Sequence, residues 1–158
     1  MKRKRTSACG CSAEKGDCEM ATTRMKCVWA GGMKFVHESA SGHEVVTDAA
    51  GRGGGETTAA SPMELIILGL IGCTGVDVSS ILDRMRQPLE GLEVSADCER
   101  AENHPKIYTK IHLTYTLKGD LDEAKVKRAI DLSESTYCSV SAMLGKSAAI
   151  TNEYVIER

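Results

Sequence analysis

Aromatic side chains are scarce in this chain, which has one tryptophan, one phenylalanine and four tyrosines among 158 residues. So few flat apolar faces exclude a stacking platform for single-stranded bases. A surplus of either charge is missing too. The chain has 20 Lys and Arg against 22 Asp and Glu, a net charge of -2 and a pI near 6.1. That balance gives no electrostatic case for nucleic acid. Long apolar runs are also missing. The most apolar segment, Leu65 to Val76, is interrupted by Gly69, Gly72 and Gly75 and flanked by Glu64 and Asp77, which makes a poor membrane span. The basic start MKRKRTSACGCSAEKG leads into no apolar stretch of the secretory kind. The expectation is a cytoplasmic chain with neither nucleic acid nor membrane as a partner. The four histidines (His37, His43, His104, His112) form no HxxH or HxxxH pair, so no metal or cofactor is expected from them.

Cysteine is plentiful, with seven residues. In a reducing compartment these are thiols, reactive or bound to metal, rather than structural disulfides. Cys9, Cys11 and Cys18 fall in residues 1–23, a polar stretch with a Lys/Arg run and no period of 2 or 3.6. It reads as a flexible tail, with one ordered domain over residues 24–158. Those thiols, with Cys27, could hold zinc or a cluster, but their spacing fits no standard finger. No metal site is assigned.

Three short strands are expected in RMKCVWA, MKFVHES and HEVVTD, joined by tight turns at Gly31-Gly32 and Ser41-Gly42. A glycine-rich loop, DAAGRGGGETTAA, follows without an apolar anchor. Ser61-Pro62-Met63-Glu64 is a helix start in which Ser61 caps, Pro62 takes the first turn and Glu64 closes a capping box. That helix should run to about Gln87. Its glycines at 69, 72 and 75 each cost about 1 kcal/mol relative to alanine, a cost that close approach of another backbone would offset. Leu92 to Cys98 and Ile107 to Leu117 alternate as a long antiparallel hairpin turning at Asn103-His104-Pro105. Leu121 to Tyr137 reads as a second helix burying Ala124, Val126, Ile130 and Leu132. A short helix from Cys138 to about Gly145 and a strand from Ala149 to Ile156 complete the order βββαββααβ. The class is α+β, with antiparallel pairing, helices on one face and no parallel βαβ unit.

On local physics Cys138, at a helix N-terminus, is the better candidate nucleophile, because unpaired N–H groups favour a thiolate. Cys73 lies about eleven residues into its helix, beyond the reach of the dipole. It reads as a small buried hydrophobe unless another segment brings a cation, for which Arg52 in the glycine-rich loop is the natural donor. Cys98 sits on the apolar face of its strand and reads as inert.

The stretch from Ser61-Pro62-Met63-Glu64-Leu65 through Gly72-Cys73-Thr74 resembles the first central helix of the OsmC/Ohr (osmotically inducible, organic hydroperoxide resistance) family. Tyr137-Cys138-Ser139-Val140-Ser141 resembles its second cysteine motif, which usually has Pro after the Cys. The resemblance covers roughly residues 24–158, and Ala101 to Gly119 looks like an uncharacterised OsmC-like subgroup rather than the best-studied peroxidases. It implies an intertwined homodimer whose antiparallel sheets enclose two central helices. It also implies a thiol peroxidase of peroxiredoxin-like chemistry, active in oxidative stress, with no bound cofactor. Cys73 would attack an organic hydroperoxide, Cys138 would resolve the sulfenic acid, and a dithiol reductant would restore both. Arg52 matches the family's activating arginine. The peroxidases carry Glu directly after the helix proline, where this chain has Met63. Glu56 is the candidate replacement, Glu64 the capping residue, and Asp77, one turn after Cys73, a possible partner of a basic group. Two other readings follow. One is a non-enzymatic module binding a small apolar ligand between Cys73 and the glycine-rich loop, and the other is metal binding by the tail.

Overall fold

The computed structural model describes residues 22–51 and 55–158. Cys9, Cys11, Cys18 and Arg52 lie outside the described residues. The elements are β1 (Lys26–Trp29), β2 (Phe35–Glu38), β3 (Glu44–Thr47), α1 (Pro62–Arg84), β4 (Gly91–Arg100), β5 (Tyr108–Lys118), α2 (Glu123–Leu132), α3 (Ser139–Leu144) and β6 (Ala149–Glu157). A π-helical turn, Ser133–Tyr137, links α2 to α3. The α+β class and the element order are as the sequence implies.

The first three strands form one antiparallel sheet in the order β1-β2-β3. Gly31 and Gly32 both take positive φ (100° and 56°) between β1 and β2, where a side chain would be strained. The second sheet has the order β4-β5-β6. β4 and β5 pair antiparallel as expected, but β6 runs parallel to β5, from Lys110 opposite Ala149 to Lys118 opposite Glu157. This corrects the expectation of purely antiparallel pairing. Residues 119–148 carry the helices across the sheet face before the chain re-enters it, and a crossover of that length can return a strand in parallel.

The core lies between this sheet and the helices. Leu113, Tyr115 and Leu117 on the central strand β5 are fully buried, as are Leu70, Val78 and Leu82 of α1 and Val126 and Ala129 of α2. The expected apolar face of α2 is adjusted by a residue or two, since Ala124 is exposed and Ala129 takes the buried place. The helix also starts later than Leu121, because the Asp122 carboxylate accepts from the Ala124 and Lys125 N–H groups and fixes the cap there. It ends sooner because Ser133 opens the π turn.

Helix α1 begins as its sequence requires. The Ser61 hydroxyl accepts from the Glu64 N–H at 3.3 Å, and the Glu64 carboxylate accepts from the Ser61 N–H at 2.6 Å. It stops at Arg84 rather than near Gln87, since Arg86 turns to φ 54° ahead of Pro88. By length and apolarity α1 could cross a membrane, yet here it is the helix that covers the second sheet. Its other side is open. Leu68 and Val76 are 50% and 69% exposed, and a Cβ placed on Gly69 or Gly72 would meet nothing within 4 Å. The close backbone approach expected at the three glycines is therefore not supplied by the described residues of this chain. Gly75 meets only Val94, at 3.7 Å.

Candidate functional site

Cys73, Asp77 and Cys138 converge where α1 meets the start of α3. Their two Sγ atoms and one Asp77 carboxylate oxygen lie within 4.8 Å of one another. Cys73 and Asp77 share a face of α1 because they are four residues apart. Cys138 arrives from the far end of the helical crossover and caps α3 itself, its Sγ accepting from the Ser141 N–H at 3.4 Å. It is 2% exposed, whereas Cys73 is partly open.

The π turn sets this convergence. The Cys138 N–H donates to the Ser133 carbonyl at 2.8 Å, the i to i+5 bond of a π turn. The same Ser133 donates its hydroxyl to Asp77 Oδ2 at 3.1 Å. One fully buried residue thus holds both the carboxylate of α1 and the backbone that carries the second thiol.

Burial pushes the Cys73 thiol above its ordinary pKa, and a hydrogen bond toward Cys138 raises it further. The Val140 N–H, in the first turn of α3, acts in the opposite sense, while the charges of Cys138 and Asp77 add to the rise. The dipole of its own helix is out of reach for Cys73, as the sequence suggests. An N–H from another helix is not.

A second polar group lies beneath the thiols. The Tyr115 hydroxyl, fully buried on β5, is close enough to interact with the Thr74 hydroxyl of α1 and with Glu134 on the π turn, but neither it nor Glu134 Oε1 has a well-directed hydrogen bond. Burial is the main reason the Tyr115 phenol is pushed far up. Burial also raises the Glu134 carboxyl, against a hydrogen bond from Asn152 at 2.8 Å.

The other expected residues lie elsewhere. Glu64 is committed to the capping box, where the Ser61 hydroxyl and N–H hold its carboxyl below the usual range. Nine residues before Cys73, it is roughly 14 Å away along the helix axis. Glu56 is exposed in the loop before α1. Met63 packs partly buried against the core. The apolar groove between α1 and β4, about 380 Å³, is lined by Ile67, Leu68, Ile71, Ala96, Cys98 and Tyr108 among others. Neither Cys73 nor Cys138 is among its described lining residues. Cys98 is exposed in that groove rather than covered. Sequence reasoning missed Ser133, Val140, Tyr115 and Glu134. A serine five residues before a cysteine carries no recognisable motif, and Tyr115 looks like any other inward-facing strand residue.

Comparison with known proteins places this geometry in context. Residues 53–153 match the family described as OsmC-like protein. Protein YhfA of Escherichia coli strain K12 is 42% identical over 129 residues, covering 81% of this chain and 93% of that protein. A crystal structure of a hypothetical protein from Aquifex aeolicus VF5 is 29% identical, with a TM-score of 0.75, over 88% of this chain and 100% of that one. The crystal structure of an organic hydroperoxide resistance protein OsmC from Legionella pneumophila has a TM-score of 0.64 at 18% identity, over 85% of this chain and 97% of that one. At that identity the likeness is one of fold.

Proposed function

The chain belongs to the OsmC-like protein family, and from that premise we propose that it is a thiol-dependent peroxidase that reduces organic hydroperoxides through Cys73 and Cys138. The observation that supports this reading most directly is the approach of two sulfurs 65 residues apart in sequence to within 4.8 Å of each other, together with a carboxylate. Bridged sulfurs lie at about 2.05 Å, so side-chain rotation must bring them closer. The name of the Legionella structural neighbour, a hydroperoxide resistance protein, agrees with the substrate class.

In the proposed cycle the Cys73 thiolate attacks the distal oxygen of the hydroperoxide. An S–O bond forms, the O–O bond breaks, and the alkoxide leaves as alcohol after taking a proton; the sulfur is oxidised by two electrons to sulfenic acid. Cys138 then attacks that sulfur, forming the disulfide and releasing water. A dithiol reductant returns both thiols by exchange. Arg52, outside the described residues, is assigned the cation that offsets the raised Cys73 pKa. The Val140 N–H is a contributor that the chain supplies without it. Glu56 is assigned the carboxylate that orients Arg52 in place of the family's glutamate. We further assign the open stripe Leu68-Gly69-Gly72-Val76 to a second copy of this chain, since nothing within the described residues approaches those glycines. Its setting in this reading is the reducing cytoplasm.

The test is organic hydroperoxide consumption with a dithiol reductant. Wild type turns over, and Cys73→Ser does not. Equal rates in the two would remove the peroxidase reading. A second reading, a small-ligand binder, is favoured by Met63 packing on the core and by the 380 Å³ apolar groove. It predicts a ligand retained through purification with no turnover.

A further inference from the structure

We propose that Cys73, Asp77 and Cys138 form a binding site for a thiophilic divalent cation, with zinc as the type case, whose occupancy blocks the thiol pair. The inference rests on ligand geometry and not on peroxide turnover, so each can fail without the other. Two sulfurs and one carboxylate oxygen within 4.8 Å of one another are the donor types that zinc takes in mixed sites. Zn–S bonds of about 2.3 Å and Zn–O bonds of about 2.0–2.2 Å set ligand–ligand edges of roughly 3.5–3.8 Å in a tetrahedron. The group must therefore contract by at most about 1 Å, within the reach of small side-chain rotations.

The surrounding groups suit such a site. Ser133 donates to Asp77 Oδ2 at 3.1 Å and aims the carboxylate, as outer-shell partners of metal ligands do. The Ser141 N–H at 3.4 Å from Cys138 Sγ and the Val140 N–H toward Cys73 are donors that a metal-bound thiolate accepts. A small cleft of about 110 Å³, lined by Asp77, Ser80, Ile81, Arg84 and Tyr137, borders the group on its Asp77 side. Three protein ligands leave a fourth position for water. On binding, both thiols release their protons to solvent and no electron is transferred. With both sulfurs coordinated, neither can attack a peroxide nor form the disulfide.

The experiment is titration of the reduced, metal-free full chain with cobalt(II), followed through its sulfur-to-cobalt charge-transfer band and the intense visible bands of tetrahedral cobalt. A Cys9→Ser/Cys11→Ser/Cys18→Ser variant removes the tail thiols. Both proteins are expected to saturate at one equivalent, and zinc to abolish the bands. Cys73→Ser and Cys138→Ser each leave about half the charge-transfer intensity, since one of two thiolates remains. Ser133→Ala keeps every ligand and weakens binding by about 10–100-fold, the usual cost of losing an outer-shell partner. Asp77→Asn weakens it at least as much. The proposal is overturned by any of three results: no band in reduced wild type, an unchanged band in the Cys73→Ser/Cys138→Ser double variant, or full affinity in Asp77→Asn.

Discussion

Replacing Tyr115 with phenylalanine should make this protein more stable, although Tyr115 is one of the largest fully buried side chains in the core. Its hydroxyl makes no well-directed hydrogen bond to either of its polar neighbours, the Thr74 hydroxyl and Glu134, and Glu134 Oε1 is equally unserved. A buried polar group without a hydrogen bond costs about 1–3 kcal/mol. Phenylalanine removes the oxygen and keeps the ring against Val94 and Tyr154, its neighbours across β4 and β6. The void it leaves is a single atom, so little of that gain is returned. A net stabilisation of about 1–2 kcal/mol corresponds to roughly 2–8 °C in Tm for a chain of this size. Alkaline pH sharpens the contrast. Burial raises the folded-state pKa of this phenol, so its protonated form contributes stability that is complete below the unfolded value near 10 and lost as pH rises toward the folded value. Wild type therefore loses stability above about pH 10 in a way that the variant does not, and the gap between them widens. Urea denaturation at neutral and at alkaline pH measures both effects. A destabilisation of about 1 kcal/mol or more at neutral pH, the usual loss for a satisfied hydrogen bond, would show that the hydroxyl has a good partner and that this reasoning fails.

Glu134→Gln tests the same cluster from the acid side. Burial raises this carboxyl, so its contribution is full below its unfolded pKa and lost as pH rises through the folded one. The variant should show a smaller decline in urea midpoint from acid to neutral pH, and an identical decline would contradict the assignment. Asp122→Ala removes the acceptor of two N–H groups at the start of α2 and should cost about 1 kcal/mol in urea. A loss below a few tenths would mean that water replaces the cap. Under native conditions iodoacetamide should label Cys73 before Cys138, since Cys138 is 2% exposed. Faster labelling of Cys138, read by peptide mass mapping, would place the open thiol wrongly.

Much of this structure is legible in local sequence. Ser61-Pro62-x-Glu64 forms the capping box it spells, and Cys138 caps a short helix that ends where Gly145 marks it. What the sequence conceals depends on contacts between distant segments. The parallel entry of β6 is decided by how residues 119–148 cross the sheet, and the alternation of Ala149 to Glu157 suits either direction. The π turn is hidden because Ser133 to Tyr137 has ordinary helix-compatible residues; the inserted residue shows only in the Cys138 to Ser133 bond. For the same reason Cys73 looked unsupported. One source of help among the described residues, the Val140 N–H, comes from a helix more than sixty residues on. The glycines at 69 and 72 remain open within the described chain, so their purpose is not contained in one copy's own packing.

The central claim is that Cys73 and Cys138 act as one redox unit, and the most direct measurement is peptide mass mapping of the reduced protein after one equivalent of an organic hydroperoxide. A single linked peptide pair joining Cys73 to Cys138, with little sulfinic acid at either position, is the predicted result. Overoxidised Cys73 beside a free Cys138 thiol, or bridges that involve other cysteines instead, would contradict it.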